Sequence, residues 1–413
     1  MIRDSYLDVN KLVGNKKIFK LFRVVEQHGG VLRFVGGAVR DALKGLSGFD
    51  LDLATDLSPD ELVEACTEEG LKTVPIGIKY GTVGVIIDDE VLEVTSLRRD
   101  VKTDGRHAEV EFTDNWEEDA SRRDLTINAV YADEKGNVFD YYNGIEDLEK
   151  GTVRFIGSPS QRIREDYLRI LRFFRFYSNF GQGPVDKKAL EACRENREGL
   201  TTLSMERIRD EFTKILLTKN VVSTLRIMFE NDILSFILPD PQHLDKLDFL
   251  INLVDEEELP HEAMRRLYTI YQPDKALAEN LAVRLRLTKK QKQHFVSWAE
   301  NEVKLEEYQN ETALYRLLYR FGAEFCVDKL LLLLAERQQS ILGLHNLIKK
   351  IRSMEIPEFP LRGKDIIASG VKNPHQIGPI LKELEEIWIG SGFKLSKQEL
   401  LDIRDKFKKV AGE

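Results

Sequence analysis

The chain has 413 residues, 42% of them hydrophobic and 32% charged, with a formal net charge of −9. Such a length calls for two or more domains, and without a run of about 18 apolar residues the chain reads as soluble and globular, with no membrane span. The acidic balance argues against a protein that coats nucleic acid through bulk charge, yet Arg162, Arg164, Arg169, Arg172 and Arg175 crowd one short stretch and allow a local cationic surface.

In chain order, Asp4, Asp8 and Lys11 interrupt any apolar h-region, so no signal peptide is expected. Residues 16–28 read as an amphipathic helix. The apolar run Val31, Leu32, Phe34 and Val35 reads as a strand that ends at Gly36-Gly37. A helical pattern follows in Ala38, Val39, Ala42 and Leu43, until Gly45, Ser47 and Gly48 break it. Phe49 to Ala54 then alternates, which puts Asp50 and Asp52 on one face of a strand. Two neighbouring carboxylates repel, and a divalent cation removes the repulsion. Oxygen ligands suit Mg²⁺, which takes one or two carboxylates plus substrate phosphates. Backbone N–H groups at Gly36-Gly37 and the helix start favour phosphate, and Arg40 adds charge one turn later. The wording VGGAVRD…FDLDLAT resembles the nucleotidyltransferase superfamily that includes DNA polymerase β. Within it, this form resembles class II tRNA nucleotidyltransferases and bacterial poly(A) polymerases.

Ser58-Pro59-Asp60-Glu61 reads as an N-cap, a Pro at N1 and an acidic first turn, opening a helix that runs to about Glu69. Strand-like runs follow at Leu71–Pro75, Gly81–Ile87 and Val91–Leu97. Glu93 is out of phase with Leu92 and Val94, and the resemblance makes it a supporting carboxylate beside Asp50 and Asp52. Arg98 to Thr113 shows many charges and no helical period, and is expected to be a flexible loop. In the family, a loop at this place helps to switch nucleotide specificity, which implicates Arg98, Asp100, Asp104, Gly105 and Arg106. Ser121 to Ala129 reads as a helix with Asp124 and Asn128 on one side. Its wording RRDLTINA resembles the family motif that contacts ribose and phosphates, which carries that role to Arg123, Asp124 and Asn128, with Arg122 beside them. Val130 to Tyr142 reads as a hairpin.

From Ser158-Pro159 onward the pattern is almost wholly helical. Arg162 to Tyr177 reads as one helix, with Asp166, Arg169, Arg172 and Arg175 three apart along one drifting face. Glu165-Asp166-Tyr167-Leu168-Arg169 resembles the family motif in which an Asp and an Arg read the base edge in place of a template strand. Ser204 to Leu217 is a further amphipathic helix, to which no chemistry is assigned. The apolar run Leu330 to Ala335 reads as a buried helix segment. Cys66, Cys193 and Cys326 are far apart and odd in number, which suggests neither disulfides nor zinc and fits a reducing cytoplasm.

The resemblance implies an α+β protein. An N-terminal nucleotidyltransferase head with a mixed sheet (1–153) would precede an all-helical neck (154–220), body (221–330) and tail (331–413). It implies Asp50 and Asp52 holding two Mg²⁺ ions, and Gly36, Gly37, Arg40 and Arg123 gripping the triphosphate. Asp166 and Arg169 would choose the base, with Arg172 and Arg175 lining the same site. The implied reaction adds CCA to the 3′ end of tRNA from CTP and ATP. An A-adding tRNA nucleotidyltransferase or a poly(A) polymerase with the same head is the alternative.

Overall fold

The structure, a computed structural model, describes residues 2–9, 18–46, 51–104, 107–371 and 373–411. Asp50, Gly105 and Arg106, all singled out above, lie outside them. The described chain divides into two compact units, 1–241 and 242–413.

The first unit is built on strands β1 (Ile2–Tyr6), β2 (Leu32–Val35), β3 (Asp52–Thr55), β4 (Lys72–Gly77), β5 (Thr82–Ile87) and β6 (Glu90–Ser96). A separate pair follows, β7 (Arg98–Asp104) and β8 (His107–Phe112), and then β9 (Val130–Ala132) and β10 (Asn137–Asp140). Eight of these form one mixed sheet in the order β1-β10-β9-β2-β3-β6-β5-β4. The pair β3–β6 is parallel, whereas β2–β3 and β2–β9 are antiparallel. Helices α1 (Ile18–Gln27) and α3 (Pro59–Glu68) cover one face, with α2 (Gly37–Leu43) between them in sequence. Leu21, Val25, Leu62 and Cys66 of these helices pack on Phe34, Leu53, Val83, Val85 and Val94 of the sheet. Each fully buried Leu or Phe there contributes about 1.5–3 kcal/mol. Ser58 caps α3 and Pro59 opens it, as expected, and Glu61 completes a reciprocal capping box.

Three expectations need correction. Arg98 to Thr113 is not an irregular loop but the antiparallel hairpin β7–β8, paired from Arg98 opposite Phe112 to Asp104 opposite His107. Alternation of Val101 and Thr103, and of Ala108, Val110 and Phe112, is a period of two that the charges obscure.

Ser121 to Ala129 is not a helix. Helix α4 (Trp116–Ser121) precedes it, capped by Asn115, and Arg122 ends it. Asp124 then accepts the Leu125 N–H at 2.9 Å, a local bond that competes with helix. Leu125, fully buried, bridges to Phe155, and only Thr126–Asn128 makes one 3₁₀ turn.

Arg162 to Tyr177 is two helices after α5 (Gly144–Lys150), namely α6 (Pro159–Glu165) and α7 (Leu168–Phe180). Asp166 between them is extended (φ −156°, ψ 108°), and its carboxylate accepts the Leu168 N–H at 3.1 Å. Arg169, Arg172 and Arg175 therefore share a helix face without Asp166. Helices α8 (Lys187–Asn196), α9 (Met205–Leu216) and α10 (Val221–Glu230) complete the first unit.

The second unit is helical throughout its described residues. Its helix Ala323–Arg337 buries Leu330 to Ala335 entirely, as expected, and the expected limit between body and tail, at 330/331, falls inside it. Its last block packs Leu361, Ile366, Trp388 and Leu400 with Tyr319 and Phe393. Among the described residues, no helix is long and apolar enough to cross a membrane.

Candidate active site

The strand β2 ends at Gly36, whose φ of +67° and ψ of −122° lie in a region that side-chain-bearing residues rarely adopt. Its N–H donates to the Val130 carbonyl at 3.1 Å, and its own carbonyl accepts from Arg40 N–H at 3.0 Å. A Cβ at Gly36 would stand 3.4 Å from Arg123 Nη1, so the glycine leaves that guanidinium its place.

In front of this turn lies a cavity of about 510 Å³. Gly36, Gly37, Asp52, Asp124, Asn128, Asp166, Leu168 and Phe176 line it, together with Arg40, Arg122, Arg123, Arg169, Arg172, Arg175 and Arg207. Seven arginines against three aspartates make its lining rich in guanidinium groups in a chain that is acidic as a whole, and each of them is paired with a carboxylate in or behind that lining. Such a concave arginine surface suits a polyphosphate, which guanidinium groups engage in pairs of hydrogen bonds.

Buried carboxylates hold these arginines in place. Asp124 accepts from Asn128 Nδ2 at 3.0 Å and from Arg172 Nη2 at 2.6 Å. Asn128 in turn accepts from Arg40, which also pairs with Asp41 at 2.8 Å. Asp124 and Asn128 thus meet as expected, through a turn rather than a helix. Burial disfavours the Asp124 charge, but Arg172 and Asn128 outweigh it and hold the carboxyl at about 2. Burial lowers the Arg40 guanidinium from its ordinary value. Asp119, on α4, accepts from Arg122 Nε at 2.8 Å, Arg123 Nη2 at 3.1 Å and the Tyr131 hydroxyl at 2.8 Å. Burial again opposes its charge, and Arg123 and Arg122 again prevail, leaving it at about 2.

The two residues expected to read a base do not pair with each other. Asp166 binds Arg207 of α9 at 2.8 Å, and Arg169 binds Glu165. Both still line the cavity. Arg175 pairs with Glu211, also on α9.

At the other end of the cavity Asp52 opens β3, exposed and directly opposite Glu93 of β6 in the parallel register. Neighbouring strands lie about 4.8 Å apart, so these two carboxylates share one face, turned away from Leu53 and Val94 in the core. Among the described residues no group of three or more His, Cys, Asp or Glu could hold a metal ion. An oxygen-only pair beside a phosphate cradle still fits a hard cation such as Mg²⁺, which is commonly completed by substrate phosphates and water.

Residues 32–154 match the family described as the poly A polymerase head domain, and residues 184–244 that described as the probable RNA and SrmB-binding site of polymerase A. The chain is 38% identical over 399 residues to the mitochondrial CCA tRNA nucleotidyltransferase 1 of Homo sapiens, covering 94% of this chain and 89% of that protein. The chain belongs to the CCA-adding tRNA nucleotidyltransferase family. The CCA-adding enzyme of Enterococcus faecalis is 30% identical over 422 residues, covering 96% of this chain and 97% of its own. The Bacillus stearothermophilus CCA-adding enzyme, solved in complex with CTP, has the same fold at a TM-score of 0.78 and 23% identity, covering 96% of this chain and 98% of that one. The family is one of divalent-metal-dependent nucleotidyl transfer, and its α+β head followed by helices is the architecture found here.

Two cavity-related residues were not singled out by sequence reasoning. Asp119 stands three and four residues before Arg122 and Arg123, a helical ion-pair spacing that signals it. Arg207 lies on the helix to which no chemistry was assigned. Only the packing of α9 on α7 brings it to Asp166.

Proposed function

We propose that this chain adds CCA to the 3′ end of tRNA, taking CTP twice and ATP once, with Asp50 and Asp52 as the ligands of two Mg²⁺ ions and Glu93 in support. The observation that carries this reading is the single cavity that joins Asp52 to an arginine cradle and to Asp166 and Arg169. The ions, when bound, supply Lewis-acid activation of the attacking RNA 3′-hydroxyl and charge stabilisation for departing pyrophosphate. Arg40 and Arg123, with Gly36 and Gly37, hold the triphosphate. Asp124 and Asn128 hold the ribose. A carboxylate offers about four acceptor positions, and those of Asp124 are taken by Leu125, Asn128 and the two-pronged Arg172, which fix the carboxylate. The Asn128 amide has two N–H donors, of which one goes to Asp124. Arg172 keeps Asp124 ionised and in place, and Arg175 adds charge to the same wall.

Base choice falls to Asp166 and Arg169. The carboxylate accepts from the amino group of cytosine or adenine, and the guanidinium donates to the adjacent ring nitrogen or carbonyl. Uracil and guanine lack an amino group there and leave the Asp unpaired, the situation in which hydrogen-bonding sites discriminate most. Arg207 and Glu165 are the partners that orient the two readers. Asp166→Ala is expected to admit UTP or GTP while the melting temperature stays close to the parent's. Misincorporation as low as in the parent, in a primer-extension assay with each nucleotide alone, would assign the choice to another residue.

The deciding assay gives tRNA ending before CCA either CTP, ATP or both. Two additions with CTP, none with ATP and three with both are expected. Long tails from ATP alone would make it a poly(A) polymerase, and no addition to this tRNA, with one A added to a parallel substrate already ending in CC, an A-adding enzyme. The working division into head (1–153), neck (154–220), body and tail is part of this proposal. So is a cytoplasmic setting, which rests on three buried free thiols, each pushed up by burial, and which any reducing compartment satisfies.

A further inference from the structure

Asp119 is 1% exposed and does not line the cavity, so it touches neither nucleotide nor RNA in the reading above. Its carboxylate instead stands behind two side chains that do line it, Arg122 and Arg123. One oxygen takes the Arg122 guanidinium at 2.6 Å and the Arg98 backbone N–H at 3.4 Å. The other takes Arg123 at 3.1 Å and the Tyr131 hydroxyl at 2.8 Å, and that hydroxyl also accepts from Arg123 Nε at 3.1 Å. Two adjacent guanidinium groups aimed at one space repel each other. A buried carboxylate behind them offsets the repulsion and fixes their planes, because an arginine fork is held by its hydrogen bonds.

We propose that Asp119 is the positioning residue for the triphosphate: it holds Arg122 and Arg123 as one anion-binding unit and ties that unit, through the Arg98 N–H, to the root of the hairpin β7–β8. This rests on the cavity being the nucleotide site. It assigns phosphate grip and base choice to separate groups. Loss of the Asp119 charge therefore weakens CTP, ATP and inorganic triphosphate by one common factor, and the preference between C and A stays unchanged.

The test uses the full chain and two variants, Asp119→Asn and the milder Tyr131→Phe, each first checked by thermal melting. Binding of CTP, ATP and inorganic triphosphate is measured by calorimetry in Mg²⁺ without RNA, and KM and kcat by extension of tRNA. Asp119→Asn is expected to raise Kd and KM about tenfold for both nucleotides alike, the scale of one lost charged hydrogen bond, with kcat and tRNA affinity little changed. Tyr131→Phe removes the hydroxyl between Asp119 and Arg123 but leaves the Asp119 charge and its direct pairs with both arginines, and is expected to raise them about threefold. Unchanged nucleotide affinity in a folded Asp119→Asn, or an effect on one nucleotide only, overturns the proposal. If Asp119→Asn does not fold, unchanged KM values in Tyr131→Phe overturn it. Normal transfer by the parent alongside unaffected variants defeats this inference alone, whereas a parent that binds no nucleotide defeats the reading on which it rests.

Discussion

Asp52→Asn, and equally Asp50→Asn, is expected to lower nucleotide transfer by about a thousandfold or more, the kinetic equivalent of about 4 kcal/mol of lost charge stabilisation. The fold is expected to survive. Asp52 is exposed at the first position of β3, and the buried residues of that strand are Leu53, Ala54 and Thr55. A substitution on such a surface position typically changes stability by no more than about 0.5 kcal/mol. Asn keeps the volume and one acceptor oxygen but not the charge that a hard cation needs. The arginine wall proposed to hold the triphosphate stands on other elements and is expected to keep its hold. Incorporation of labelled CTP, thermal melting and tRNA binding by filter retention separate these quantities. Near-parental turnover in either variant removes the two-metal reading.

Removal of Asp100 to Val110 is expected to leave two C additions and to block the terminal A. Cytosine and adenine offer edges that differ in size and in the groups beside the amino group, so one Asp–Arg pair cannot meet both in one unchanging pocket. Something beside the pocket must move by a small distance between the second and third steps. The hairpin β7–β8 is a sheet of its own, outside the eight-stranded one, and its root is fixed at both ends. Thr113 N–H donates to Leu97 O at 3.0 Å, Arg98 donates to the Tyr80 carbonyl, and Arg98 N–H meets Asp119 at 3.4 Å. A two-stranded hairpin is of marginal stability by itself, which suits a part that shifts. The excision is also gentle, because Arg99 and Glu111 at its edges already face each other and pair at 2.6 Å. Sequencing-gel analysis of products made with CTP and ATP together checks the outcome. Complete CCA ends would make the hairpin a plain connection, and equal loss of every step would make it structural.

Periodicity served well where one influence decided the local structure. The helix Ile18–Gln27, the capped helix after Ser58 and the strands around Glu93 follow from apolar spacing and caps, and they lie within a residue or two of where the sequence puts them. The pairing of Asp52 with Glu93 needed a parallel register that spacing does not encode. Elsewhere two influences competed. Asp104-Gly105 is a strong hairpin signal, but charges on both strands hid the alternation around it. Between Ser121 and Ala129 the arginines and leucine favour helix, yet the Asp124 side chain takes a backbone N–H and Leu125 leaves to be buried. The family wording led to Asp124, Asn128, Asp166 and Arg169. Of their partners, Glu165 is four residues from Arg169, whereas Arg172, Arg40 and Arg207 meet Asp124, Asn128 and Asp166 only through the packing of distant segments.

In the function proposed above, the interruption between α6 and α7 changes what kind of reader Asp166 and Arg169 would form. On a continuous helix they would be two teeth of one rigid comb, with a fixed gap. Here Asp166 sits in the extended link and Arg169 in the first turn of the next helix. Tyr167 stands between them with its ring against Gly199, a position where any side chain would collide with it. In the base choice proposed above, the pair would work as a caliper, with rotation at Tyr167 opening or closing the distance between carboxylate and guanidinium and so setting the width of base that is admitted. On that reading Gly199, with no side chain at all, is what leaves the Tyr167 ring its place, and Gly199→Ala is expected to disturb the pair without touching either of its members.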